Sequence, residues 1–270
     1  MADNSVSWRI FALTLWEPWY MMYLTLTLLP STVRDIIHHG ETNKPLDWSA
    51  FKNAWFAAVW AIFGPMFAEG GSSVVGPLMA KAKGVVLDIG PGAGDWVHLF
   101  KAEKEGKTGI TKIYGVEPNT ALHARLREKV KVAGLEDVYE IVAIGAQDLG
   151  TSGLSIERES IDTVVTVQSI CSVSQPKVLV KELYEYLKPG GTWIMWEHVR
   201  THETGWIRWY QALVNLFWPH FFHGCSLTRS TDEMIMHVGD WEHVEMNMPG
   251  GQNRYMPCPG MLGVFTKRSA

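Results

Sequence analysis

The stretch VVLDIGPGAGDW, residues 85–96, limits the possible folds more than any other part of the chain. An apolar run reaches Asp88 and then breaks into Gly90, Gly92 and Gly94 at alternate positions. The run reads as a short buried strand, and the glycines as a turn where bare backbone meets a ligand. From here the pattern alternates. GVVLDI, KIYGVE, VYEIVAIG, IDTVVTVQ and TWIMWEHV read as strands. DWVHLFKAEKEG, NTALHARLREKVKVAG (ending at Gly134) and PKVLVKELYEYL (stopping at LKPGG) read as helices. Such alternation predicts an α/β fold with mostly parallel strands and helices on both faces. A helix over 202–218 and weaker strands near 241–248 and 261–267 bring the sheet to seven strands. Asp232 or Ser230 is placed to start one more helix, and Arg229 to anchor the segment before it.

The first 82 residues read differently. DWSAFKNAWFAAVWAIFGPMF predicts a helix with Asp47 as N-cap and Trp48, Phe51, Trp55, Val59, Ile62 and Phe63 at helical spacing. Gly64-Pro65 is expected to end or kink it, and EGGSSVVGP, residues 69–77, to form a flexible link. RIFALTLWEPWYMMYLTLTLLP is strongly apolar, but Glu17 and Pro18 cut it, and Trp19–Pro30 is too short to span a bilayer. It lacks a basic polar face, so a helical lid is favoured over a membrane-surface contact. His38-His39 before Gly40 reads as a basic helix end.

Composition narrows the partners. The 270 residues carry a net charge of −4 and no basic block, which gives no electrostatic basis for binding nucleic acid. Cys171, Cys225 and Cys258 are too few and too scattered for a disulfide framework. With no secretory signal pattern at the start, a reducing, cytoplasmic setting is expected. The 13 Trp, 10 Phe and 8 Tyr predict a mixture of core packing and an aromatic-lined pocket for a flat or lipophilic ligand.

Three features choose the ligand of the glycine turn. Asp88 precedes Gly90 by two residues, close enough to meet a ligand ammonium directly or through water, whereas a pyrophosphate has no use for an acid there. Glu117 ends the second strand, where a carboxylate accepts both hydroxyls of a ribose. The spacing is G-x-G-x-G, not the G-x-G-x-x-G of dinucleotide sites. A helix starting near Asp95 is expected to aim its amides at a ligand carboxylate.

VVLDIGPGAGDW, IYGVEPN, IGAQDL, IDTVVTVQSICSV and LKPGGTWIMWEHV, in this order, resemble the successive motifs of class I S-adenosylmethionine-dependent methyltransferases over about residues 83–200. EHVRTHETGWIRWYQALVNLFWPHFFHGCSLTR further resembles small thiol methyltransferase-like proteins of animals and fungal methyltransferases of secondary metabolism. The resemblance implies a Rossmann-like sheet and a methyltransferase domain over 83–270 with a cap at about 202–232; the N-terminal helical lid over 1–82 is read from the residues themselves, where the resemblance weakens. It implies S-adenosylmethionine as cofactor and S-adenosylhomocysteine as product. Asp88, Gly90, Pro91, Gly92 and Gly94 would line the methionine end. Glu117 would take the ribose, with Pro118 and Asn119 beside the adenine. Ala146 and Gln147 match the third-strand adenine contact, although Gly145 stands where many relatives carry Asp, with Asp148 three positions on. Gln168 and Ser169 match the floor near the methionine.

The expected activity is methyl transfer to a hydroxyl of a small aromatic or lipophilic acceptor, such as a fungal alkaloid. Thiol or amine transfer, and a non-methylating protein of the same fold, stand as alternatives. A hydroxyl acceptor benefits from a general base. His198, with Glu197 before it, comes first, and His223 of WPHFFHGC next. Trp16, Trp19, Tyr20 and Tyr23 are candidates to hold a sulfonium against aromatic faces, and His220 to line the acceptor wall. H-x-x-H-x-C has no second ligand pair at structural-zinc spacing, so no metal is expected.

Overall fold

The computed structural model describes residues 6–38, 47–100, 109–151 and 156–269. His39 and Gly40 lie outside the described residues, as does 101–108, which holds the second half of the helix expected after the glycine turn.

Three helices precede the sheet: α1 Trp8–Thr27, α2 Leu29–His38 and α3 Trp48–Met79. Asp47 caps α3 as expected, with Oδ1 accepting from Ser49 N at 2.9 Å and Ala50 N at 3.2 Å. No helix ends at the expected points. Pro18 lies inside α1, and α3 runs through Gly64-Pro65, Gly70-Gly71 and Pro77 for 32 residues. An interior proline removes one ladder bond and costs ~3 kcal/mol. Burial offsets that cost here. Val59, Phe63, Ala68, Gly71, Val75 and Met79 form one continuous buried stripe along α3. Residues 69–77 are helix, not a link, and Gly71 serves close packing: a Cβ there would run into the Trp196 ring and come within 2.9 Å of Trp96, whereas one on Gly70 would meet open space.

The strands are β1 Gly84–Ile89, β2 Ile110–Val116, β3 Tyr139–Val142, β4 Ile161–Val167, β5 Leu187–His198, β6 Trp241–Asn247 and β7 Gly260–Lys267. Their order is β3-β2-β1-β4-β5-β7-β6. Among the described strands, β7 runs opposite to the other six, pairing antiparallel with β5 and β6. The helices between are α4 His123–Val132, α5 Pro176–Tyr186, α6 Trp206–Asn215, α7 Trp218–Phe221 and α8 Thr231–Met236. Where a helix was expected from Asp95, the described residues hold only a 3-10 turn, Val97–Leu99. Among the described residues, no α-helix N-terminus therefore faces the glycine turn there.

Alternation along each strand feeds two apolar layers. Leu87, Ile89, Trp193, Met195 and Phe265 pack with α5 and α8 on one face. Val86, Ile113, Val165 and Ile194 pack with α3 and α4 on the other. Because Val75 and Met79 of α3 belong to that second layer, the N-terminal segment shares the sheet's core. A third cluster forms a roof beyond the strand ends, where Met21 and Met22 of α1 and Val59 and Phe63 of α3 meet Trp218, Phe222 and Leu227. Leu13, Trp16, Tyr20 and Tyr23 follow helical spacing along the opposite, exposed face of α1. Among the described residues, no helix is long and apolar enough to cross a membrane.

One contact crosses the sheet beneath the site. Tyr139 of β3 reaches over β2 to donate its hydroxyl to Asp88 Oδ2 on β1, at 2.8 Å. It passes Gly115, where a Cβ would sit inside the tyrosine ring. Gly115→Ala is expected to destabilise the protein by ~1–3 kcal/mol through overpacking. Urea denaturation should show a lower midpoint with an unchanged slope; an unmoved midpoint would mean the ring has room to yield.

Candidate active site

A cavity of about 470 Å³ opens at the carboxyl ends of β1, β2, β4 and β5, beneath α3 and the segment after β5. Its size lies in the ~300–1,000 Å³ range of small-molecule sites. The floor is the glycine turn. Gly90, Gly92 and Gly94 have φ of +66°, +60° and +81°, which side chains disfavour. A Cβ on Gly90 would lie 2.7 Å from Ser169 Cβ, and one on Gly92 would lie 3.1 Å from Trp60 Nε1. Gly94 faces away from the cavity: its Cβ would strike Leu126 of α4 at 2.9 Å.

Two buried acids hold the loops of this site. Glu117, just past β2, accepts from Gly92 N at 3.0 Å and from Asn119 N at 2.8 Å, one bond on each oxygen. Burial raises its carboxyl pKa, and the two amide bonds work against that rise. Asn119 Nδ2 in turn donates to Asn53 O at 3.0 Å, which fastens α3 to the floor. Glu197, on β5, is fully buried. It accepts from the amides of Ser169, Ile170 and Cys171 at 3.1, 3.0 and 3.3 Å and from Ser169 Oγ at 3.2 Å.

Asp88 does not border the main cavity. It borders a separate void of about 10 Å³, together with Gly90, Pro91 and Trp96. Burial lifts its pKa to about 7, the Tyr139 hydroxyl pulling it down and Glu117 pushing it up. Gln168 has a strained φ of +55°. Its side chain borders the cavity, and its buried Oε1 has no hydrogen-bond partner.

Ten of the sequence-predicted cofactor positions line this one cavity: Gly90, Pro91, Gly92, Glu117, Pro118, Asn119, Ala146, Gln147, Gln168 and Ser169. His198 and His223 join them. Asp148 does not line it and instead accepts from Gln147 Nε2 at 3.3 Å.

Several expectations are corrected. Glu197 alternates with His198 along β5 and so points away from the cavity, into the loop after β4. Trp16, Tyr20 and Tyr23 face outward from α1, and His220 is exposed. Trp19 packs against Phe217 and donates to Tyr210 Oη at 2.7 Å. The aromatic wall comes instead from Phe56, Trp60 and Phe67 of α3, Trp96, Trp196, Trp218 and Phe222. From α1 only Glu17, exposed at the rim, and Met21 reach the cavity. The helical spacing of α3 marked it as amphipathic; nothing in it told which face met a ligand. Arg229 does anchor its segment, donating to Ile170 O.

The sequence reading also missed that all three cysteines, Cys171, Cys225 and Cys258, line the cavity. Cys225 Sγ lies 3.5 Å from His198 Nδ1. Cys171 Sγ, His198 and Cys225 Sγ all fall within 4.8 Å of one another. The thiol of Cys171 is held well above its ordinary pKa by its hydrogen bond to Cys225 and by burial. His223, by contrast, stacks obliquely on Phe56 and pairs with Asn53 Oδ1 at 2.8 Å. Burial and Lys52 lower its pKa.

The sheet order, the glycine turn after β1 and the acid after β2 define the class I S-adenosylmethionine-dependent methyltransferase arrangement. Residues 73–233, more than half of the chain, match the methyltransferase domain family, and the chain belongs to it. It is 38% identical to human (Homo sapiens) thiol S-methyltransferase TMT1B over 109 residues, 40% of this chain and 44% of that one. It is 30% identical to phosphatidylethanolamine N-methyltransferase of Cereibacter sphaeroides over 115 residues, 43% and 51% of the two chains. The matched regions thus span about half the length of these curated relatives. Among solved structures, a Thermotoga maritima S-adenosylmethionine-dependent methyltransferase, titled a possible histamine N-methyltransferase, superposes with a TM-score of 0.55. It is 18% identical, over 82% of this chain and 99% of that one. A geranyl diphosphate methyltransferase in complex with S-adenosylmethionine gives 0.52 at 13% identity, over 85% and 94%. These two show the fold.

The residues present fit that cofactor. The floor is a cradle that a Cβ on Gly90 would fill, and Gln168 Oε1 is a buried acceptor awaiting a donor.

The position of Asp88 makes stability depend on pH. Its folded pKa of about 7 exceeds the ~3.9 of an unfolded aspartate, so the folded protein binds the extra proton between these values. That contribution is present at low pH and is lost as pH rises through about 7. Asp88→Asn cannot ionise. Relative to the parent it should gain ~1–4 kcal/mol between pH 5 and pH 8. Parallel urea titrations at the two values measure this, and an equal difference at both would refute the buried, protonated Asp88.

Proposed function

We propose that this protein transfers a methyl group from S-adenosylmethionine to the sulfur of a small, largely apolar thiol. The observation that carries the acceptor atom is the cavity wall beyond the cofactor cradle, where two thiols and an imidazole meet among aromatic faces. The similarity to thiol S-methyltransferases supports the same reading.

The cofactor supplies a methyl group already activated on a sulfonium. The chain's task is then to bind, align and exclude water. Glu117 takes the ribose hydroxyls on lone pairs left free by its two amide bonds, with Pro118, Asn119, Ala146 and Gln147 beside the adenine. Gln168 Oε1 and the Gly90 cradle receive the methionine end. Asp88 reaches the ammonium through one water, since its 10 Å³ void is close to the ~10–15 Å³ a single water needs. Trp60 and Phe56 of α3 offer the faces that hold a cation, in place of the α1 aromatics.

The placement of two of the three expected bases supports sulfur over oxygen as well. A hydroxyl must lose its proton to a positioned base in the transition state. Of the groups expected in that role, Glu197 is sealed into a loop and His223 is occupied by Asn53. A thiol ionises near pH 8.5 and needs far less help. A hydroxyl remains the second reading, because His198 borders the cavity.

The test uses the full chain with methyl-labelled S-adenosylmethionine and matched panels of aromatic and alkyl thiols, phenols and amines. Thiols are expected to exceed phenols of the same ring by at least tenfold in kcat/KM, read as labelled thioether. Phenols equal to or better than thiols would overturn the proposal. Glu117→Ala should weaken S-adenosylhomocysteine binding at least tenfold, or by about 1.4 kcal/mol.

A further inference from the structure

The geometry points to a zinc site formed by Cys171, His198 and Cys225, with its fourth position open to the cavity for a thiol ligand.

A tetrahedral zinc ion holds sulfur at ~2.3 Å and imidazole nitrogen at ~2.0–2.1 Å. Those lengths place neighbouring ligand atoms ~3.6–3.8 Å apart. The 3.5 Å between Cys225 Sγ and His198 Nδ1 matches this edge, and Cys171 Sγ lies within 4.8 Å of both. The ligand set is the two-cysteine, one-histidine set that zinc uses where a position is left for water or substrate. All three residues border the cavity, so the missing ligand would come from that side.

The site is also built in advance. Cys171 sits in the 3-10 turn after β4, whose amides are gripped by Glu197, the residue next to His198. Ser226 N, one residue past Cys225, donates to Cys171 O at 2.8 Å. Arg229 ties the same segment to Ile170 O. Three chain segments carrying the three ligands are thus bound to one another by groups that are not ligands, the arrangement that fixes metal ligands in place.

Charge favours the site as well. Zinc with two thiolates and a neutral imidazole carries no net charge, which suits a buried wall. A fourth, thiol ligand would bind as its sulfur–zinc bond forms and its proton leaves to solvent. The thiolate would then hold one negative charge facing a sulfonium cofactor. This role for the open position rests on the thiol reading above; the metal site itself does not.

The full chain should be produced in zinc-supplemented medium and analysed by elemental mass spectrometry after dialysis. About one zinc per chain is expected. Cys171→Ser, Cys225→Ser and His198→Ala should each lower it at least tenfold, while Cys258→Ser keeps it. Thermal stabilisation by S-adenosylhomocysteine shows that each variant is folded. In cobalt-loaded protein, the thiolate-to-cobalt charge-transfer band should strengthen when a small thiol such as 2-mercaptoethanol is added. A zinc-free parent would overturn the site, as would zinc content indifferent to the three substitutions, or a Cys171–Cys225 disulfide in freshly isolated protein. Zinc-free protein that still methylates thiols would sink this inference and leave the function standing. Zinc-loaded protein inert toward thiols would support the site and count against the function.

Discussion

The site rests on a buried carboxylate that ties two loops together. Glu117 carries one amide bond from the glycine turn and one from the loop after β2. Without it, those amides would face an apolar cavity unpaired, at ~1–3 kcal/mol each. With it, the first two strands end in a rigid floor. That floor then accepts α3 through Asn119 and Asn53, and α3 brings the aromatic wall. The same carboxylate that holds the two loops also borders the cavity.

Glu197 makes the same argument on the other half of the sheet. A fully buried carboxylate is tolerated only when it is well hydrogen-bonded, and this one takes three amides and a hydroxyl. From sequence it looks like a chemical group beside His198. In the fold it is what shapes the turn on which Cys171 sits. The side chain next to it, turned by the pleat to the other face, is the one that meets the cavity.

The roof uses only one face of the apolar N-terminal helix. α1 buries Met21 and Met22 and leaves Trp16, Tyr20 and Tyr23 outside. Hydrophobicity alone gives both faces of such a helix similar standing. In α3 the proline and glycine pairs looked like breaks because local propensity favours breaks there. Packing won: Gly71 admits Trp196 and Trp96, and the stripe from Val59 to Met79 stays buried.

Periodicity and turn chemistry act over a few residues, and what they govern was legible in the chain. β1 appears at the expected residues 84–89, two tail strands complete a seven-stranded sheet, and most of the predicted cofactor positions share one cavity. Other features depend on partners far away in sequence. Tyr139 meets Asp88 across 51 positions, and Cys225 meets His198 across 27. Cys171 joins them only because a crossover and the segment after α7 return to the same strand ends. No local pattern encodes such meetings. They follow from strand order and from which face each side chain takes, and both are settled when the layers pack.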